Sequence, residues 1–381
     1  MKIKKIVKPV IKGIMYILRV IPIKENKVVF SAFSAHSYSD NPKYIAEEIL
    51  REKLPLDCVF VLKDPDSCHV PLGIRKVKYN TLNYLYEMAT AKVWIDNTRK
   101  QPHIIKRAHQ KYIQTWHGAI ALKKIEKDAE YALSAEYIHT AKNDSSNIDV
   151  LTTNSIFGKN MMRSCFWYNG KIEITGSARL DILTNTDIDI KETVRANLGI
   201  KNDEKVILYC PTFRRIDTTD VYDLDYAKLR DILKKKWPGN WRILLRLHPN
   251  MSSTMDVKLP YVSDVSKYPD INEIYTVSDV LITDYSSTMF DFSVIKRPIF
   301  IYAVDIDEYR KDRDTYFELR ELPFPVAENN SELVDNIFSF NETDFQKNLK
   351  VFHESLSILE DGLASKRIAA MIKEFTLQRG R

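Results

Sequence analysis

The chain has 381 residues, 44% apolar and 28% charged, with ten glycines and no low-complexity tract. That composition excludes a disordered or fibrous chain over most of the length, which exceeds one usual core and points to two domains. The net charge of +6 is concentrated in a leader: Lys2, Lys4, Lys5, Lys8, Lys12, Arg19 and Lys24 precede the first acid, Glu25, and the remainder nets −1. A near-neutral body with a basic leader is not a general nucleic-acid binder.

In residues 1–24, Ile3, Ile6, Val7, Val10, Ile11, Ile14, Leu18 and Ile21 recur at helical spacing among the lysines. A basic amphipathic helix of this kind suits an anionic membrane surface, with Lys2, Lys4, Lys5, Lys8, Lys12 and Arg19 on the headgroups. It is too interrupted by charge to span a bilayer. Two alternatives stay open: a helix packed on the protein's own body, and a secretory signal, although no small-residue cleavage site follows.

Next, Lys27–Phe33, Cys58–Leu62, Val93–Asp96, Tyr112–Trp116, Val150–Thr153 and Lys171–Thr175 read as strands. Pro42–Lys53, Leu82–Ala91 and Ile156–Cys165 read as helices between them. A second series comprises strands Lys205–Tyr209, Arg242–Leu247, Val280–Thr283 and Pro298–Tyr302, with helices Tyr226–Lys236 and Met289–Ile295. Strands alternating with helices predict parallel sheets, so the fold class is α/β with two Rossmann-like domains, 25–190 and 200–340. The join falls in the charge-rich stretch 185–205, and residues 341–381 form C-terminal helices packing back across the domains. Cys58, Cys165 and Cys210 sit in apolar segments as core thiols, Cys68 lies outside them, and no CxxC or zinc spacing occurs, which fits a reducing cytosolic setting.

Four strand-end motifs carry the chemistry, because ligands of open α/β sheets bind beyond the carboxyl ends of strands. Gln114-Thr-Trp-His117-Gly118 places a near-neutral titrating group beside a residue that permits close approach. Tyr209-Cys-Pro211-Thr212-Phe-Arg214-Arg215 offers a hydroxyl and two cations. In Leu245-Arg246-Leu247-His248-Pro249, strand alternation would aim Arg246 and His248 into one space, where an anion would offset their repulsion. Thr283-Asp-Tyr-Ser286-Ser287-Thr-Met-Phe-Asp291 opens a helix whose N–H groups and hydroxyls suit a phosphate. Each also has a plain reading: a loop histidine, solvated arginines at a turn, an ordinary Ser-Ser cap. Arg179, near the Gly176 turn, says little alone. The set suits a diphosphate-bearing substrate. Walker and GxGxxG glycines are absent, and the Asp-x-Asp pairs (187/189, 223/225, 305/307) read as solvated turns, so neither cofactor nor essential metal is expected.

Together these motifs, with Asp96-Asn-Thr-Arg99, Arg179 and Asp181, and Asp361-Gly362 with Ala364-Ser365, resemble the CDP-glycerol glycerophosphotransferase family of teichoic acid and capsule synthesis. The resemblance runs from Val93 to about Arg367. It implies a GT-B fold whose two domains face one cleft. Donor contacts are implied for Gly118 and the His117 loop, Arg179, Pro211, Thr212, Arg246, His248, Ser286, Ser287 and Asp291. It further implies peripheral attachment to the cytoplasmic face of the membrane and an undecaprenyl-linked or polymer acceptor; a homo-oligomer is compatible with it. The loop departs from the family's His-Gly-Thr-Pro-Leu-Lys-Lys: here it is His117-Gly-Ala-Ile-Ala-Leu-Lys-Lys124, one residue longer and lacking the Thr hydroxyl and the Pro.

The expected reaction is attack of an acceptor hydroxyl on the glycerol-bearing phosphorus of CDP-glycerol with release of CMP. His117 serves as general base, and His248, Arg246, Ser286 and Ser287 stabilise the diphosphate. A CDP-ribitol donor, a GT-B glycosyltransferase using a nucleotide sugar, and a catalytically silent membrane scaffold are the competing expectations.

Overall fold

A computed structural model describes residues 2–185, 188–212, 224–247, 259–312 and 314–377; the side chains of residues 2–7, 188, 310–312 and 377 lie outside the described set. The leader forms helix α1 (Lys2–Ile17), and seven strands follow: β1 (Lys24–Ser31), β2 (Asp57–Leu62), β3 (Ile74–Lys78), β4 (Ala91–Asp96), β5 (Lys111–Gln114), β6 (Val150–Thr153) and β7 (Lys171–Ile174). They make one sheet in the order β3-β2-β1-β4-β5-β6-β7, every pairing parallel. Runs such as Val28-Val29-Phe30 and Val59-Phe60-Val61-Leu62 are wholly buried. That is the signature of strands covered on both faces, each such side chain contributing about 1.5–3 kcal/mol.

Helices α2 (Asp40–Arg51), α3 (Leu82–Thr90), α4 (Ala135–Asn147) and α5 (Ile156–Cys165) connect these strands. α2 buries Tyr44, Ile45, Ala46 and Ile49 on one face. Thr81 and Ser155 cap α3 and α5 by accepting the Tyr84 and Gly158 N–H groups, satisfying donors that a helix start leaves unpaired. After the short α6 (Asp181–Thr184), α7 (Ile188–Asn197) leads to a second series: β8 (Glu204–Cys210), α8 (Tyr226–Lys236), β9 (Asn240–Leu245), β10 (Val262–Asp264), α9 (Ile271–Val277) and β11 (Val280–Thr283). It continues with α10 (Thr288–Phe292), β12 (Ile299–Tyr302), α11 (Ile306–Asp312), β13 (Val326–Ala327) and α12 (Asn330–Ser339). The six strands are again all parallel, in the order β10-β9-β8-β11-β12-β13. Helices α13 (Glu342–Leu356) and α14 (Ala364–Leu377) come last.

Two compact units result. The first holds residues 1–119, 125–181 and 358–381; the second holds 120–124 and 182–357. The two parallel α/β units expected from the alternation are both present. The stretch 185–205 contains α7, which packs with α9 inside the second unit, so the chain leaves the first unit at Asp181. Of the two C-terminal helices, α13 belongs to the second unit. α14 lies on α2, β1 and β4 of the first, its opening N–H groups (Ala364, Ser365) held by the Asp181 carboxylate at 3.0 and 2.7 Å.

The leader divides its apolar side. Ile11 and Met15 are buried, α1 packing on α3, whereas Val10, Ile17 and Val20 are 56%, 69% and 84% exposed. Lys8 pairs with Glu136 at 2.8 Å, Arg19 covers the Tyr16 ring, Lys12 is exposed, and Lys24 is the first residue of β1. Among the described residues no helix is long and apolar enough to cross a membrane.

Candidate functional site

In the first unit the chain leaves β5 through Thr115 and Trp116, and Trp116 takes a left-handed conformation (φ 52°) that turns His117 outward. Three polar contacts hold this bend. Trp116 N–H donates to Gln114 Oε1 at 2.9 Å, and its carbonyl accepts from Asn41 Nδ2 at 3.0 Å. His117 Nδ1 lies 2.7 Å from the Asn97 carbonyl. A carbonyl oxygen only accepts, so Nδ1 carries the proton and Nε2 presents its lone pair. Desolvation by the surrounding protein lowers the ring's pKa below 6.5. The Asn97 carbonyl and the charge of Asp40 pull the other way, and that of Arg179 reinforces the drop. The ring itself is exposed, at a cavity of about 450 Å³ that includes Ser34, Thr98, Tyr137 and Thr140.

Behind the histidine stands a buried polar frame. Asp40, itself at φ 59°, accepts from Asn97 Nδ2 at 2.9 Å and pairs with Arg179 at 3.3 Å. The Arg179 N–H reaches Asn41 Oδ1 at 3.0 Å. Arg99 pairs with Glu126 at 2.5 Å and Asp144 at 3.2 Å, with its guanidinium over the Trp116 and Phe166 rings. Tyr137 donates to Glu126. Burial raises the Asp144 carboxyl to about 6, with Arg99 opposing. Gly118 follows His117, and a Cβ there would meet open space; at Gly158, on α5, a Cβ would fall 2.6 Å from the Ala119 carbonyl. Close packing of α5 under the loop therefore requires glycine at 158, while 118 is free of that constraint.

The next residues, 120–124, belong to the second unit. Leu122 N–H points to Ser287 Oγ at 3.4 Å, its carbonyl accepts from Tyr316 N–H at 2.7 Å, and Lys124 N–H donates to the Asp314 carbonyl at 2.9 Å. The strand ends of this unit meet at β8 and β11, where the strand order reverses, which is where open sheets bind ligands. Thr212 N–H lies 2.9 Å from both Asp284 oxygens and its hydroxyl also donates there, so Thr212 and the buried Pro211 form a cross-strand clasp. Ser286 Oγ accepts from Thr288 N–H at 3.3 Å, and Ser287 stands at the N-cap of α10, without a side-chain cap bond. Asp291 is half-buried on that five-residue helix.

Several sequence expectations change in detail. β9 ends at Leu245, so Arg246 lies beyond the strand, and its Nη1 donates to the Val265 and Tyr268 carbonyls at 3.1 and 2.9 Å. His248, Arg214 and Arg215 lie outside the described residues, as do Asp187 and Asp223. Arg179, uninformative alone near the Gly176 turn, is buried against Asp40. Asp305 is not a solvated turn remote from the motifs: Tyr285 of the Thr283 motif donates to it at 3.0 Å. Asp189 sits in α7, and Asp225 caps α8. Among the described residues no group of three or more His, Cys, Asp and Glu could hold a metal ion. Asp40, Asn41, Glu126 and Asp144 are not marked by any motif in the sequence, because they act through folded geometry.

Comparison with known proteins identifies the family. The family model of the CDP-glycerol:poly(glycerophosphate) glycerophosphotransferases matches residues 14–374. The teichoic acid glycerol-phosphate transferase of Staphylococcus aureus is 33% identical over 385 residues, covering 97% of this chain and 98% of that protein. The teichoic acid poly(glycerol phosphate) polymerase of Staphylococcus epidermidis is 34% identical over 302 residues, 76% of this chain, which spans only 42% of that polymerase. A solved structure of the wall teichoic acid polymerase TagF soaked with CDPG superposes with a TM-score of 0.87 at 30% identity, covering 100% of this chain and 97% of that one. The chain belongs to the CDP-glycerol:poly(glycerophosphate) glycerophosphotransferase family.

Proposed function

We propose that the chain transfers glycerol phosphate from CDP-glycerol to a hydroxyl of a lipid-linked glycan or polyol-phosphate acceptor in teichoic acid or related polymer synthesis. The acceptor oxygen forms a bond to the glycerol-bearing phosphorus as the bond to the CMP oxygen breaks. The hydroxyl proton passes to His117 Nε2, and CMP leaves. The observation that carries this reading is the His117 geometry: Nδ1 spent on a carbonyl, Nε2 presented at a cavity, and a lowered pKa that keeps it unprotonated near neutral pH. Such a group is a general base.

In this reading the units adopt the GT-B arrangement, with the nucleotide on the second unit. Ser286, Ser287, Asp291, Arg246 and His248 serve the donor, and the Pro211–Thr212 clasp shapes its pocket. Arg179 acts from behind, through Asp40 and the His117 frame. Fixed donors aimed at developing charge supply most of the stabilisation in phosphoryl transfer. The exposed Val10, Ile17 and Val20, with the leader's lysines, support peripheral attachment to an anionic membrane. The altered loop beside Ser287 favours keeping CDP-ribitol as a second donor.

Thermal stability of the purified protein with CDP-glycerol, CDP-ribitol, UDP-N-acetylglucosamine and CMP tests the donor. A ligand at about a hundred times its Kd should stabilise by roughly 2.7 kcal/mol. Selective stabilisation by CDP-glycerol supports the reading, by CDP-ribitol the second, and a response to the UDP sugar alone overturns both.

A further inference from the structure

A second cavity, of about 580 Å³, opens in the first unit at the carboxyl ends of β1 and β4, the point where the strand order reverses. That is where doubly wound sheets take ligands, and the volume is that of a small-molecule site. It shares Ser34, Thr98, Arg99 and Gln101 with the His117 cavity, so the two are adjoining chambers. Its walls come from α1 (Lys8, Ile11), the turn into α3 (Tyr79, with Tyr84) and the segment after β4 (Lys100, His103, Ile104).

The charges there are not equivalent. Arg99 is spent on Glu126 and Asp144, and Lys100 on Asp96. Lys8 meets Glu136 with the two side chains 50% and 79% exposed, a pairing worth only about 0.2–1 kcal/mol that a better anion displaces. His103 Nδ1 is buried and meets no hydrogen-bond partner among the described residues. Lys8 and His103 both line the chamber, and burial, reinforced by the Lys8 charge, lowers the His103 pKa. Beside them the Tyr79 and Tyr84 rings lie 5.1 Å apart and tilted to each other, Tyr84 buried and Tyr79 half-buried on the chamber wall.

We propose that this chamber is an acceptor subsite for an anionic phosphate ester. It takes the phosphodiester one unit behind the reactive hydroxyl on Lys8 and His103, and lays the adjoining sugar or polyol against Tyr79. The inference rests on the transfer reading for its direction, since the hydroxyl end then reaches His117. It also gives α1 a second role, because the helix forms a wall of the acceptor site whether or not a membrane is present.

The test uses the full chain, no vesicles and no nucleotide. A short water-soluble glycerol phosphate oligomer is titrated by calorimetry, with phosphate-free oligoglycerol and inorganic phosphate as comparison ligands. Wild-type protein should prefer the oligomer to both, and Lys8→Ala and His103→Gln should each weaken oligomer binding about tenfold while melting temperatures and oligoglycerol binding hold. Oligomer binding that is absent in wild type, unchanged in both variants, or matched by inorganic phosphate overturns the subsite. CMP release from CDP-glycerol is followed separately. Its absence with oligomer binding intact removes the transfer reading and leaves the subsite standing.

Discussion

Arg179 and Asp40 meet at 3.3 Å with side chains only 3% and 7% exposed, and Asp40 in turn holds the residue whose carbonyl orients His117. The arginine is thus tied to the His117 loop by charge rather than by reach. Truncating one member of a buried pair strands the other, at a cost of about 3–5 kcal/mol. Arg179→Ala should lose that much in urea unfolding and Asp40→Asn a comparable part, with a double-mutant coupling above about 1 kcal/mol. Independent, near-neutral effects would show that the pair is not engaged in solution.

His117→Ala should lower turnover by roughly a hundred- to ten-thousandfold while thermal stabilisation by CDP-glycerol persists. Because the base must be unprotonated, kcat/KM should fall as pH drops through an apparent pKa below the ordinary 6.5. A near-normal rate in the variant, or an acid limb above that value, contradicts the assignment.

Two neighbouring glycines should behave oppositely. Gly158→Ala forces a Cβ onto the Ala119 carbonyl and Thr153 Oγ1, with an expected loss of about 1–3 kcal/mol. Gly118→Ala enters open space and should change stability by less than about 0.5 kcal/mol, so a rise in donor KM there reports ligand approach. Equal destabilisation of the two variants would contradict the loop geometry.

Glu360 supplies a pH signature. Burial raises its carboxyl from 4.5 to about 8, against hydrogen bonds from Asn154 and Ser177. The folded state therefore keeps a proton that the unfolded chain has released. This group's contribution to stability is full below 4.5 and is lost as pH rises through about 8. Glu360→Gln should flatten that decline in melting temperature between about pH 5 and 8; parallel curves would show that the carboxyl is already ionised.

For the membrane reading, Ile17→Glu with Val20→Glu is a cleaner probe than removal of the leader, because Ile11 and Met15 are packed on the body. Binding to anionic vesicles should fall at least about tenfold and the intact chain's binding should weaken with salt. Vesicle binding indifferent to the substitutions and to salt would leave α1 as a wall only.

The buried strands were readable because parallel strands covered on both faces are continuous apolar runs, as at Val59–Leu62. β3 was not: at the sheet edge it buries only Ile74 and Val77 of its five residues. α4 also escaped notice, since its inward face is Thr140, Ala141, Asp144 and Ser145, small or polar groups with no apolar stripe. In the site, His117 could be picked out by residue type. Its orienting partner is a main-chain carbonyl, which every residue has, and the acids around Arg99 come from positions 126 and 144. Arg246 illustrates a third limit: apolar alternation continues to Leu247, two residues past the true end of β9.

The division of the first unit into three pieces bears on how the protein is made. α14 lies over β1, β4 and α2, and its cap is Asp181, so the amino-terminal sheet lacks one cover until residues 364–377 leave the ribosome. Meanwhile the whole second unit, 182–357, can form from consecutive chain apart from 120–124. Domains usually mature in the order of synthesis; here the half made first is completed after the other. Nascent chains stalled before residue 364 should bind chaperones through that open face, and loss of α14 should unfold the end of the protein farthest from it in sequence.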